Sequence, residues 1–151
     1  MAFSRSLRIA TAASIIGLAS LGGAFAQPDP AQIIRERREG LRAVGQHMEA
    51  IVAIVQSRGD ARAAVPRVEA MQAFFATFPA RFPANTQTGE TRALPAIWTD
   101  AAGFTAAYNG AVTALGNLRT AAASGDVAAL GQAAQATGAS CGNCHRPFRA
   151  R

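Results

Sequence analysis

The chain contains no lysine: all fifteen of its basic residues are arginine, set against nine acidic residues, for a formal net charge of +6. These arginines are scattered along the sequence rather than gathered into a basic stripe with interleaved aromatics, so nucleic-acid binding has no footprint here. Histidine is limited to His47 and His145, and cysteine to Cys141 and Cys144. That leaves no Ser/His/Asp set and no carboxylate pair at a shared ligand face, and the reading is of a protein that is not an enzyme. No stretch alternates polar and apolar residues with a period of two, which argues against a sheet. Hydrophobic residues nonetheless make up 50% of the chain, so helices must build the core.

What is there is concentrated at the C-terminal end, in Cys141-Gly142-Asn143-Cys144-His145. Two thiols three residues apart, followed at once by a histidine, form the attachment signature of a c-type haem. Each thiol can add to one vinyl group of the porphyrin, and the imidazole can approach the iron from the side on which the peptide runs. On a helix the three positions are i, i+3 and i+4 and share one face. The same residues have other uses. A zinc site would need a fourth donor, for which His47 is the only other histidine. A thioredoxin-like Cys-x-x-Cys would need a preceding strand, which the sequence does not offer. A structural disulfide is the remaining alternative. One covalently bound haem c is the preferred cofactor.

Haem attachment needs an oxidising compartment supplied with haem, and the N-terminus reads as the route to it. Arg5 and Arg8 precede an apolar stretch from Ile9 to Phe25, and Ala24-Phe25-Ala26 is a small-x-small cleavage signal. No stop-transfer pattern follows. Residues 1–26 are therefore read as a secretory signal peptide, residues 27–151 as the mature domain, and the periplasm as its location. Without Arg5 and Arg8 the balance is thirteen arginines to nine acidic residues, a net charge of +4. No membrane attachment is expected once the signal is removed.

Four helices follow from periodicity and punctuation. The first runs from Ala31 to about Ser57, with Ile34, Leu41, Val44, Met48, Ile51 and Val55 as a bundle seam. Its end, Ile51-Val52-Ala53-Ile54-Val55, is apolar nearly all round and calls for a second buried face, most simply a homodimer through this helix. Gly59 reads as the helix stop and Asp60 as the next N-cap. A second helix covers about Ala61 to Phe78, beginning near Val65 or kinked at Pro66. A long connection from Pro79 to Pro95 leads to a third helix from about Ala96 to Ala123. Asp126 then caps a fourth that ends in the haem motif. The expected fold is an all-α, antiparallel four-helix bundle with its covalent haem near the C-terminus.

A haem motif at the end of a fourth helix resembles the cytochrome c′ family, the class II c-type cytochromes. The resemblance spans the mature sequence. It rests on Arg37-Arg38-Glu39-Gly40-Leu41 and Gly45-Gln46-His47-Met48 in the first helix, and on Ile97 to Phe104 in the third. Gly138-Ala139-Ser140 before the motif and Phe148-Arg149 after it complete the match. It implies His145 as the proximal iron ligand and Leu41 at the distal position. Low-spin relatives are similar but carry methionine there. Leucine has no donor atom, so a five-coordinate, high-spin iron is expected, under an apolar cavity lined by Leu41 with neighbours such as Val44 and Phe74. Such a cavity favours NO and CO, and the resemblance implies NO and CO binding, discrimination against dioxygen, and a five-coordinate nitrosyl after loss of the histidine bond.

The resemblance also matches Arg149 to a proximal arginine that tunes His145, with Pro147 two residues after the ligand as a departure that threatens to distort the helix. Arg37, one turn before Leu41, is expected to meet a haem propionate, or else to make a surface ion pair with a glutamate. Arg92 is a further propionate candidate. His47 lies off the Leu41 face and reads as a surface or interface residue. Met48 and Met71 are weaker candidates for a sulfur ligand. Trp98 reads as core, and Ala139 and Ser140 as small residues that let the fourth helix approach the haem. The alternative function is a monohaem electron-transfer cytochrome of the same fold, working with redox partner proteins.

Overall fold

The computed structural model describes residues 29–151, so the signal sequence and its cleavage site lie outside the described residues. Helix α1, Pro30–Gln56, starts where Asp29 accepts a hydrogen bond from the Ala31 amide and Pro30 occupies the first turn. Its buried residues are Ile34, Arg37, Val44 and Ile51, with Leu41 and Met48 packed partly against the core. The heptad seam is therefore as expected, except that a buried arginine stands in it.

The stop of α1 differs from the sequence reading. The left-handed residue is Arg58, at φ 51°, and not Gly59. The Gly59 amide donates to the Ile54 carbonyl at 2.9 Å and the Arg58 amide to the Val55 carbonyl at 3.1 Å, which is the paired bonding of a Schellman motif. Gly59 thus sits one residue beyond the position that strains a side chain. The doubly apolar end of α1 is also less naked than its sequence suggests. Ile54 and Val55 pack against the core, and Val52 alone of the large residues there is well exposed, at 40%.

Asp60 caps a short 3-10 turn, Ala61–Ala64, from which α2, Val65–Ala76, continues with Pro66 in its first turn. Of the two sequence alternatives the late start holds: a first-turn proline has no intrahelical bond to lose. The connection after α2 contains two further 3-10 turns, Pro79–Arg81 and Ala84–Thr86.

The expected single third helix is two: α3, Ala96–Thr99, and α4, Ala101–Ser124. Asp100 divides them by leaving helical geometry and accepting a hydrogen bond from the Gly103 amide at 2.9 Å. An aspartate used as an N-cap outcompetes helix continuation. Gly125, at φ 81°, ends α4, and Asp126 caps α5, Val127–Phe148, through the Ala128 and Ala129 amides.

Helix α4 packs against α2 and α5, and α1 against the same two, so the four long helices form a closed ring of neighbours, the antiparallel four-helix bundle. Among the described residues there is no strand; the one isolated β-bridge joins Ala93 to Arg149. All described phenylalanines, Trp98 and Tyr108 belong to one aromatic network, in which Phe78 touches Phe74, Phe75, Phe82, Phe104 and Tyr108. Edge-on and offset contacts of this kind add to the burial of the rings. No helix among the described residues is long and apolar enough to cross a membrane.

Candidate functional site

Residues of α5 project one face into a cleft of about 630 Å³ between the helices: Gly138, Cys141, Cys144 and His145 all line it. The i, i+3, i+4 spacing therefore does what the sequence predicts. The opposing α1 contributes Leu41, Val44 and Met48, and the aromatic network contributes Phe75, Phe78 and Tyr108. Phe74 does not line the cleft. It packs beneath Gly40 of α1, where a Cβ would overlap its ring. Adjacent helical positions differ by about 100°, and Phe75 takes the place expected of Phe74.

The glycine and its neighbours on α5 also need correcting. Gly138 is the small residue at the cleft, whereas Ala139 is exposed elsewhere and Ser140 donates to the Thr137 carbonyl. Trp98, half-buried, packs against the core, with its indole N–H donating to the Phe82 carbonyl at 2.9 Å. His47 does not line the cleft, so the zinc alternative lacks its fourth donor. Met71 is buried in the core away from it, while Met48 is in it.

Cys141 and Cys144 are not joined to each other by a disulfide. Burial raises the pKa of each; for Cys144 the nearby Cys141 adds to the rise, and for Cys141 a hydrogen bond with Ser140 works against it. Partial burial, and then the positive charge of Arg149, lower the pKa of His145. A neutral imidazole is the form that can ligate a metal.

Arg37 is 2% exposed, so the surface ion pair with a glutamate is not formed; Glu90 pairs with Arg38 instead. The Arg37 guanidinium donates to the Arg81 carbonyl (2.8 Å), Thr86 Oγ1 (3.2 Å) and Thr91 Oγ1 (2.8 Å), and lies 4.4 Å from the centre of the Phe82 ring. Burial lowers its pKa, yet a guanidinium remains a cation near neutrality. All three acceptors are neutral oxygens. Sequence reasoning missed this role because its signal, threonines forty-nine and fifty-four residues away, is visible only after folding. Arg92 and Arg149 line the same cleft from the connection and the C-terminal segment.

The cleft fits a porphyrin on three counts. Its volume falls in the range of about 300–1,000 Å³ typical of cofactor sites. The two thiols and the imidazole face one space, and a buried cation without a carboxylate partner stands at its side. A second cleft of about 580 Å³, at the start of α1 around Ile34, Arg35 and Gly89, holds none of these groups.

A family model described as cytochrome C′ matches residues 32–149. The chain belongs to the cytochrome c′ family. It is 35% identical over 122 residues to the cytochrome c′ of Pararhodospirillum photometricum, covering 80% of this chain and 98% of that protein. It is also 32% identical over 150 residues to the cytochrome c-556 of Agrobacterium fabrum, covering 95% of each. Among solved structures, nitric oxide and carbon monoxide complexes of variants of cytochrome c prime from Alcaligenes xylosoxidans superpose with a TM-score of 0.75 at 28% identity, covering 82% of this chain and 98% of theirs. Cytochromes c′ carry one covalently bound haem c, and here Cys141, Cys144 and His145 supply its attachment sequence.

Proposed function

We propose that this protein is a periplasmic cytochrome c′ whose iron is five-coordinate and high-spin and which binds NO and CO at an apolar distal site, buffering or carrying NO. The observation that carries the reading is Leu41, a side chain without a donor atom, in the same cleft as His145. Bound covalently by Cys141 and Cys144, the haem would supply an iron with one position open to small neutral ligands.

The chain's residues account for the rest. His145 provides the proximal imidazole. Leu41, Val44, Phe75 and Phe78 keep the distal side hydrocarbon, so that neither a protein hydrogen bond nor a stabilised water favours dioxygen there. Arg37 and Arg92 supply cations for the two propionates, and Arg149 a cation beside His145. The complexes with NO and CO formed by the Alcaligenes relatives support the ligand class. The basic leader, apolar stretch and Ala24-Phe25-Ala26 signal support the periplasm.

Titrating the ferrous protein with CO and NO tests this reading. Saturable spectral changes with both gases, and a far weaker response to dioxygen, are expected; no response to either gas contradicts it.

One observation favours a second reading. Met48 lines the same cleft two turns beyond Leu41, and its thioether on the iron would make a low-spin electron carrier serving redox partner proteins. The CO titration separates the two, since a ligated sulfur leaves no open position.

A further inference from the structure

Arg149 lines the same cleft as His145 but lies just beyond the end of helix α5. Pro147 has no amide, and the helix ends at Phe148; the Arg149 backbone is extended, at φ −134° and ψ 131°. One bond ties it back, from the Arg149 amide to the His145 carbonyl at 3.1 Å. The residues on either side of it are held by the connection between α2 and α3. Leu94 donates its amide to the Phe148 carbonyl at 3.0 Å, and Ala150 donates to the Arg92 carbonyl at 2.8 Å, closing the antiparallel bridge of Ala93 with Arg149.

That stretch of connection is itself held by one side chain. Thr91 Oγ1 accepts from the Ala93 amide at 3.1 Å and from Arg37 Nη2 at 2.8 Å. Arg37 in turn is fixed by its two other hydrogen bonds and by the face of Phe82. A continuous path of bonds therefore leads from α1, one turn before Leu41, to the arginine beside the proximal histidine.

We propose that Arg37 and Thr91 are positioning residues for Arg149: through the Arg92–Leu94 strap they fix the backbone from which it lines the same cleft as His145, and so set how strongly that imidazole donates to the iron. The inference rests on His145 being the proximal ligand, as proposed above. A cation near the ring disfavours electron donation to a metal, and groups behind a ligand tune it in this way. Thr91 has no contact with His145 in the hydrogen-bond network, so its effect passes through the strap.

The test uses the haem-loaded protein and two variants of Thr91. Thr91→Val keeps the shape and removes the acceptor, while Thr91→Ser restores it. In the ferrous, ligand-free state, Thr91→Val is expected to raise the iron–histidine stretching frequency in resonance Raman and to lower the reduction potential. Thr91→Ser is expected to match the unmodified protein. Arg149→Gln should produce the same shifts, and adding Thr91→Val to it should change nothing more. Amide exchange at Leu94 and Ala150 should speed up at least about tenfold in Thr91→Val, which removes the acceptor of two hydrogen bonds.

Unchanged potential and unchanged exchange in Thr91→Val overturn the proposal, as do shifts that add fully to those of Arg149→Gln. A low-spin, six-coordinate unmodified protein would refute the gas-binding function but leave the potential and exchange comparisons as valid tests of the strap.

Discussion

Leu41 separates an open iron site from a closed one. Replacing it with methionine is nearly volume-conserving and places a sulfur where the hydrocarbon stood in the cleft. Leu41→Met is expected to turn the ferric spectrum low-spin and to weaken CO binding at least about tenfold, because CO must then displace a protein ligand. An unchanged CO titration would show that position 41 does not face the iron. The neighbouring Gly40 is held to its size by Phe74. Gly40→Ala forces that ring aside and is expected to destabilise the holoprotein by about 1–3 kcal/mol, read as a lowered thermal midpoint; an unaltered midpoint would mean the ring yields freely. At this scale the attachment set Cys141, Cys144 and His145 was legible because covalent chemistry dictates its spacing. The bonds of Arg37 were not, because they depend on where Arg81, Thr86 and Thr91 come to rest.

The elements follow from local signals where one residue acts alone. Asp60 and Asp126 announce their caps, and both side chains accept from following amides. Asp126→Ala is expected to cost about 1 kcal/mol through fraying of the start of α5, visible as faster amide exchange at Ala128 and Ala129; equal exchange would deny the cap. Two signals competed and were misread. Asp100 lies in a run that looks helical, and its capping bond breaks the helix in two. Gly59 looks like the stop of α1, yet Arg58 adopts the left-handed turn at φ 51°. Arg58→Gly should therefore raise stability by up to about 1 kcal/mol, by relieving the left-handed side chain net of glycine's extra chain entropy. A fall in the melting temperature would contradict that assignment.

For the molecule as a whole, the four long helices and their order were readable from periodicity, since each buries one stripe against its neighbours; the short α3 was not. The cleft was readable only in part: its existence follows from the haem motif, but its aromatic wall depends on which side of α2 meets α4. Association through α1 is a further expectation at this scale, resting on the apolar face that carries Val52. Sedimentation is expected to show a dimer that Val52→Asp weakens; a monomeric unmodified protein would set that expectation aside. Ile54, which packs inward, is a poorer probe, since a polar group there perturbs the core as well.

The account's central claim is an iron held by His145 with no protein atom on its other side. The electron paramagnetic resonance and absorption spectra of the ferric, haem-loaded protein test it directly. A high-spin signal without a sulfur-to-iron charge-transfer band is predicted; a low-spin signal with that band would contradict it and point to Met48.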